Sequence, residues 1–265
     1  MRELKFGVEI EFFGANYITV IEQLRANGIQ VAEFAGYTHA VIPKWKLTTD
    51  CSVTSGGTGL SKGLELVSPI LYGDEGLNEL EKVYTVLNEC GAKVDKSCGT
   101  HIHFDIAHYT VQDMISFLNL YYKESKLIDY LLPPSRRNNT YCEQIKKSEI
   151  VKMNSRFENG TLEGIKDIAH ILWTRYRTVN LNSYVKYGTI EFRQHGGTTE
   201  FEKIEAWIIL MYQMLEAAKG LHIRAGRAVT RTENNFKGFM EIVNLQNTYT
   251  EEYLLNRFKH FMEVA

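Results

Sequence analysis

The chain has 265 residues, 44% of them hydrophobic, with a formal net charge of −2 from 30 Lys and Arg against 32 Asp and Glu. That supplies a sizeable core for one large domain or two small ones, and the near-balance of charge argues against a nucleic-acid footprint or a polybasic membrane surface. No apolar run approaches the roughly 20 residues that span a bilayer and no N-terminal apolar stretch reads as a secretion signal, so neither a membrane nor a nucleic-acid partner is expected and the expected location is cytoplasmic.

A first strand is expected over residues 4–13, where Phe6, Val8, Ile10 and Phe12 alternate with Glu9 and Glu11. Such alternation puts the apolar residues on one face and both carboxylates on the other. Gly14 ends this strand, and Asn16 caps a helix carrying Ile18, Ile21 and Leu24, stopped by Gly28. Residues 37–43 and 45–50 read as short strands. The Gly-rich run 55–63 lacks the GxxxxGK[ST] spacing of a phosphate loop and reads as a flexible hairpin or lid. Residues 64–70 form a strand ended by Pro69, with Glu65 pointing away from Leu64 and Leu66. Asp74 is expected to cap a helix bearing Leu77, Leu80, Val83, Val86 and Leu87, ended by Gly91.

The stretch Gly99-Thr100-His101-Ile102-His103-Phe104-Asp105 is the centre of the pattern. Ile102, Phe104 and Ile106 face one way, and His101, His103 and Asp105 face the other. A solvent face more usually carries Thr, Lys or Ser, so this one reads as the floor of a site. Thr110 and Asp113 make a variant capping box for a helix through Met114, Phe117, Leu118, Tyr121 and Ile128, which must stop before Pro133-Pro134. A polar connection over 135–142 follows, then an amphipathic segment over 143–157 and a short helix begun by Thr161. Residues 173–181 lead into a strand, joined through a turn at 184–188 to a second strand as a hairpin. There Ile190 and Phe192 alternate with Glu191, Arg193 and His195. Thr198 or Thr199 caps the longest helix, through Trp207 and Leu215 to about Gly220, and helices near 236–243 and 250–264 close the chain. Four prolines and no Gly, Ser or charge run mark no linker. Cys51, Cys90, Cys98 and Cys142 match no zinc spacing and read as buried free thiols.

Strands that do not alternate with helices, together with hairpins, predict an α+β fold. A largely antiparallel sheet has helices on one face and the charged residues on the other. Glu9 and Glu11 are either a solvated face with ion pairs or ligands of a divalent cation, which would relieve two neighbouring carboxylates. Three strands with one pattern favour the cation. With Glu65, Glu191 and His101 or His103, the donors are hard oxygens plus imidazole, which suits Mg²⁺ or Mn²⁺. Arg193 shares a face with Glu191, and Arg136, Arg137, Arg175 and Arg177 lie in polar connections. Guanidinium groups near a carboxylate-bound metal suit phosphate oxygens and describe phosphoryl transfer from ATP.

Four segments in this order, Gly7-Val8-Glu9-Ile10-Glu11-Phe12, Glu65-Leu66-Val67-Ser68-Pro69, residues 98–105, and Thr189-Ile190-Glu191-Phe192-Arg193-Gln194-His195, resemble the amidoligases. These belong to the carboxylate–amine ligase superfamily with glutamine synthetase and glutamate–cysteine ligase. The resemblance implies one catalytic domain, 1–265, with a glutamine-synthetase-like fold whose antiparallel sheet is a funnel floor backed by helices. It implies ATP and Mg²⁺ or Mn²⁺ as cofactors, phosphorylation of a carboxylate to an acyl phosphate, and attack by an amine. By the same resemblance Glu9, Glu11, Glu65, His101 and Glu191 are metal ligands, and His103 lies near the phosphates. Arg193 stabilises the transferred phosphoryl group, and Arg136, Arg137, Arg175 and Arg177 are candidates to hold phosphate or a substrate carboxylate. The substrate class stays open among amino acids, peptides, proteins and cell-wall peptides. A metal-dependent hydrolase also uses His-x-His at a strand end, but on an α/β barrel, which the hairpin and early Glu-x-Glu oppose. A nucleotide- or metal-binding regulator with a degenerate site is the non-catalytic alternative.

Overall fold

The structure is a computed structural model that describes residues 4–32, 41–55, 63–137 and 139–264. The chain divides into two compact units, Met1–Phe104 with His195–Glu205, and Asp105–Gln194 with Ala206–Ala265. Helices and antiparallel ladders make up both.

The first unit is built on β1 (Lys5–Phe12), β2 (Lys46–Thr49), β3 (Leu64–Val67), β4 (Leu71–Tyr72) and β5 (Thr100–Asp105), with α1 (Tyr17–Ala26) and α2 (Gly73–Glu89). The strand order is β2-β3-β1-β5, and β4 also pairs with β1. All four ladders are antiparallel. Phe6, Val8, Ile10 and Phe12 of β1, Leu47 of β2, Leu64 and Leu66 of β3, and Ile102 and Phe104 of β5 are buried. A slip by one residue would exchange this apolar set for Glu9 and Glu11, so burial alone fixes the register. Asn16 caps α1 as expected, its Oδ1 accepting from Ile18 N–H at 2.9 Å. Gly28 and Gly91 take the left-handed conformation just past α1 and α2, at φ +78° and +76°.

Several local expectations give way here. The strand expected over 64–70 stops at Val67, two residues before Pro69, and the next strand, β4, starts only at Leu71. Asp74 is not the cap of α2, because the N-cap position falls on Tyr72, without a side-chain bond. Gly73 N–H donates instead to the Leu4 carbonyl at 2.8 Å, so a bond to the N-terminal edge of β1 sets this helix start. Residues 41–43 carry no strand, and the rest of the strand expected at 37–43 lies outside the described residues, as does most of the lid expected at 55–63. Cys98 and Cys142 are buried, but Cys51 is exposed and Cys90 only half-buried.

α2 crosses β1 closely at Gly76. A Cβ there would sit 2.8 Å from Leu71 Cβ and 3.2 Å from Phe6 Cε1. Neither neighbour has room to retreat in a packed core. Gly76→Ala is therefore expected to destabilise the fold by about 1–3 kcal/mol despite the better helix propensity of alanine. A thermal melt checks this, and an unchanged or raised midpoint would show that α2 can shift.

The second unit holds α3 (Val111–Asp129), α4 (Lys147–Glu158), α5 (Ile165–Leu172), β6 (Val179–Asn180), α6 (Asn182–Tyr187), β7 (Thr189–Phe192), α8 (Glu233–Ile242) and α9 (Tyr249–Glu263). α7 (Phe201–Ala218) begins in the first unit and continues into the second. The Thr110–Asp113 capping box forms at the start of α3. α3, at 19 residues, is one longer than α7, contrary to expectation. α5 starts at Ile165 rather than Thr161, because Asp167 reaches back to the N–H groups of Glu163 and Gly164. β6 and β7 pair antiparallel, Asn180 opposite Glu191. Their connection is a short helix, not a tight turn. Asn180 Oδ1 accepts from Asn182 N–H at 2.8 Å and starts it, and Gly188 at φ +71° ends it. Phe192 packs edge-on against Phe117 of α3, ring centres 5.7 Å apart, which seats β7 on the helical core.

Candidate active site

The polar face of the first unit follows from its registers. Glu9 stands opposite His101, Gly7 opposite His103, Glu11 opposite Glu65, and Thr48 opposite Glu65 on the other side. His101 Nδ1 lies 3.1 Å from Glu9 Oε2 and its Nε2 3.8 Å from Glu11 Oε1, so one imidazole stands between two carboxylates. His103 Nε2 lies 3.4 Å from Glu9 Oε1. Glu11 Oε2 accepts from Gly99 N–H at 2.6 Å. Burial would raise the Glu9 carboxyl, but hydrogen bonds and charge from His101 and His103 outweigh it and hold the group well below the usual carboxylate range.

Two sets of donors converge on this face. Glu9, Glu65 and His101 each offer a ligand atom within 4.8 Å of the others, and so do Glu11, Asp50 and Glu65. The chemistry fits a hard divalent cation, since five of the six places are carboxylate and one is imidazole. A second observation agrees. Thr48 is 6% exposed, and its hydroxyl oxygen is buried without a hydrogen-bond partner among the described residues. An orphaned oxygen beside Glu65 suits a hydrated cation. Lys46, on the same face of β2, has its ammonium pKa lowered by burial against the opposing pull of Glu9 and Glu65.

In the second unit Glu191 and Arg193 leave β7 together. Glu191 is buried, accepts from Asn180 Nδ2 at 2.6 Å, and is ion-paired with Arg193 Nη1. Arg193 N–H donates to the Thr178 carbonyl at 2.9 Å. The four loop arginines differ in setting. Arg136 is buried and donates to the carbonyls of Arg193 at 2.8 Å and Gln194 at 3.1 Å. Arg177 is buried between Glu149, at 2.7 Å, and Glu143. Arg137 lies over the Tyr130 ring at 4.0 Å and donates to the carbonyls of Asp129 and Leu132. Arg175 is exposed.

Lys46, Thr48 and Asp50 were not expected at the site. Their signal was the same alternation as in β1, three polar residues set against Leu47, but over a strand of four residues. Nor was the buried network behind Arg193. The Gln194 amide nitrogen donates to Asp129 Oδ1 at 2.6 Å, its oxygen accepts from the Tyr121 hydroxyl at 2.7 Å, and Gln144 also donates to Asp129.

Burial pushes the Asp129 carboxyl up to about 6, against these donors. Because the folded form holds its proton more tightly than the unfolded chain, its contribution is full below the ordinary carboxylate value and is lost as pH rises through 6. We expect about 2–3 kcal/mol of stability lost between pH 4 and 7 at this group. Urea midpoints at pH 4.5 and 7.5 check it: Asp129→Asn should flatten that difference, and an unflattened one removes the claim.

Residues 2–215 match the sequence model of a family described as "Putative amidoligase enzyme". No curated protein matches the sequence. Among solved structures, a bifunctional glutathione synthetase from Pasteurella multocida aligns with a TM-score of 0.46 at 11% identity, covering 98% of this chain and 47% of that one. A structure described as a novel glutamine synthase homolog aligns with a TM-score of 0.47 at 12% identity, covering 99% of this chain and 67% of that one. The chain thus spans about half the length of the first.

Proposed function

This chain belongs to the amidoligase family of amide-bond-forming ligases, and from that premise we propose an ATP-dependent carboxylate–amine ligase working through an acyl phosphate. The observation that carries the reading is the cross-strand set on one polar face, with His101 between Glu9 and Glu11 and with Glu65 offering an oxygen within 4.8 Å of ligand atoms of Glu9, His101 and Glu11. Metal-independent acyl transfer would have no use for that many converging carboxylates. Glu9, Glu11, Glu65 and His101 would hold Mg²⁺ or Mn²⁺, a role the family resemblance gives Glu191 as well. When bound, the cation neutralises phosphate oxygens and so lowers the cost of moving the terminal phosphoryl group.

The chain's own groups do the rest. Arg193 meets the charge that develops on the transferred phosphoryl group. His103 donates a hydrogen bond to phosphate oxygen from its ring nitrogen, steered by Glu9. The polar face of the first unit's sheet serves as the floor of a funnel, and the whole chain acts as one catalytic domain. Substrates are an acid and an amine drawn from amino acids, peptides or proteins, cell-wall peptides included. ATP supply places the reaction in the cytoplasm; among the described residues no helix is long and apolar enough to cross a membrane.

An ADP-release screen with Mg²⁺ against amino acids, short peptides and polyamines tests this, with new amides read by mass. ADP release coupled to an amide product is the expected result. Amide hydrolysis without ATP, or tight ATP binding with no ADP release for any amine, overturns it.

A further inference from the structure

Trp173 ends α5 with its backbone at φ 38°, ψ −20°, and the residue is 72% exposed. The left-handed region is where helices place glycine, and a bulky residue there is strained. The other described non-glycine residues at positive φ are asparagines, Asn244 and Asn247, which tolerate it. An exposed indole on a strained backbone contributes little to the fold that holds it.

Two and three residues further along the chain come Arg175 and Tyr176. The Arg175 guanidinium lies 5.1 Å from the Tyr176 ring centre and donates to the Tyr176 hydroxyl at 3.1 Å. Tyr176 and the exposed Tyr141 meet edge to face, ring centres 6.0 Å apart at 76°. This shelf is tied to the strand pair bearing Arg193. Glu143 N–H donates to the Tyr176 carbonyl at 2.7 Å, Thr178 N–H to the Glu143 carbonyl at 2.9 Å, and Arg193 N–H to the Thr178 carbonyl. The Glu143 carboxylate is taken up by Arg177, so the charge the shelf presents is cationic. Arg175, with a smaller contribution from Arg193, holds the Tyr176 phenol below its ordinary pKa, so both cations act on this ring.

We propose that Tyr141, Trp173, Arg175 and Tyr176 form the docking shelf for a carboxylate-bearing peptide, the substrate that this ligase joins. The proposal deepens the ligase reading and rests on it. Aromatic rings with polar tips and an arginine are the side chains that recognise peptides at small entropic cost, and the guanidinium selects an acidic one. The crossed tyrosines offer edges and hydroxyls rather than a parallel slot, which disfavours a flat nucleotide base.

The test uses the intrinsic probe. Trp45 and Trp207 are buried, so long-wavelength emission and acrylamide quenching report Trp173. Without ATP, millimolar acetyl-Ala-Glu-Ala amide is expected to shift that emission to the blue and roughly halve the quenching, with the Gln analogue roughly tenfold weaker and the effect lost in Arg175→Ala. In turnover, Trp173→Gly should hold or raise the melting temperature, because glycine suits the backbone, while raising peptide KM roughly tenfold and leaving ATP KM alone. Protection by neither peptide, protection by adenosine, or protection on concentrating the protein alone each overturns the proposal, the last assigning the shelf to a second copy. Peptide protection without ADP release would instead count against the ligase reading and leave the shelf standing.

Discussion

Arg193→Ala is expected to lower the rate of ADP release by roughly a thousandfold or more, with ATP KM little changed. The side chain can be removed without disturbing the strand that carries it. The N–H of Arg193 is held by the Thr178 carbonyl and its own carbonyl by the Arg136 guanidinium, and neither bond involves the Arg193 guanidinium. Glu191 keeps the donation from Asn180 at 2.6 Å, so the buried carboxylate retains a donor. Under the proposed mechanism the loss therefore falls on the charge directed at the transferred group. An interaction made chiefly in the transition state lowers kcat and kcat/KM together, which separates this outcome from a simple loss of nucleotide affinity. Arg193→Lys should recover only part of the rate, because an ammonium cannot reproduce a planar fork on phosphate oxygens. Single-turnover phosphoryl transfer with a melting curve on the same sample decides it. A rate within tenfold of the unaltered protein would remove Arg193 from the reaction.

What the sequence disclosed and what it hid divide along physical lines. The alternation of Phe6, Val8, Ile10 and Phe12 with Glu9 and Glu11 needs no tertiary information, since a strand has a period of two residues wherever it lies. The same holds for Ile102 and Phe104 against His101 and His103. The Thr110–Asp113 cap was equally legible, because both halves lie within one helical turn. Asp74 has the same composition cue and no cap, because a bond from Gly73 to Leu4, distant in sequence, sets that helix start. The loop arginines show the limit most sharply. Composition treats Arg136, Arg137, Arg175 and Arg177 alike, yet Arg136 and Arg177 are buried in bonds to groups as far away as Gln194 and Glu149, while Arg175 is exposed on an aromatic shelf. Asp50 stayed hidden for a related reason. It follows the last residue of β2, and Gly63 seats it: a Cβ on Gly63 would lie 2.5 Å from the Asp50 carbonyl oxygen. Pairing between segments, rather than any local pattern, brings Asp50 within ligand distance of Glu11 and Glu65.

Glu9→Gln is the substitution expected to remove the metal while preserving shape. Each Glu9 oxygen faces a different ring, Oε2 the His101 Nδ1 at 3.1 Å and Oε1 the His103 Nε2 at 3.4 Å. Glutamine keeps one acceptor and turns the other into a donor, so one imidazole must change tautomer and the proposed cation would lose a charged oxygen. Groups that merely support metal ligands cost 10–100-fold in affinity when altered, so a direct ligand should cost roughly a hundredfold or more. Mn²⁺ titration followed by electron paramagnetic resonance should show that loss, and ADP release should fall in parallel. Acid sensitivity supplies an independent check without metal. The folded Glu9 carboxyl sits below its ordinary value of 4.5, so the unfolded chain binds more protons and the carboxylate stabilises the fold. That contribution is full above 4.5 and disappears as pH falls through the folded value. Metal-free wild type should therefore lose its stability advantage over Glu9→Gln in that acid window, with the two converging below it. Unimpaired turnover of Glu9→Gln at saturating Mg²⁺, with Mn²⁺ binding intact, would separate this carboxylate from the cation and leave it a structural partner of its two histidines.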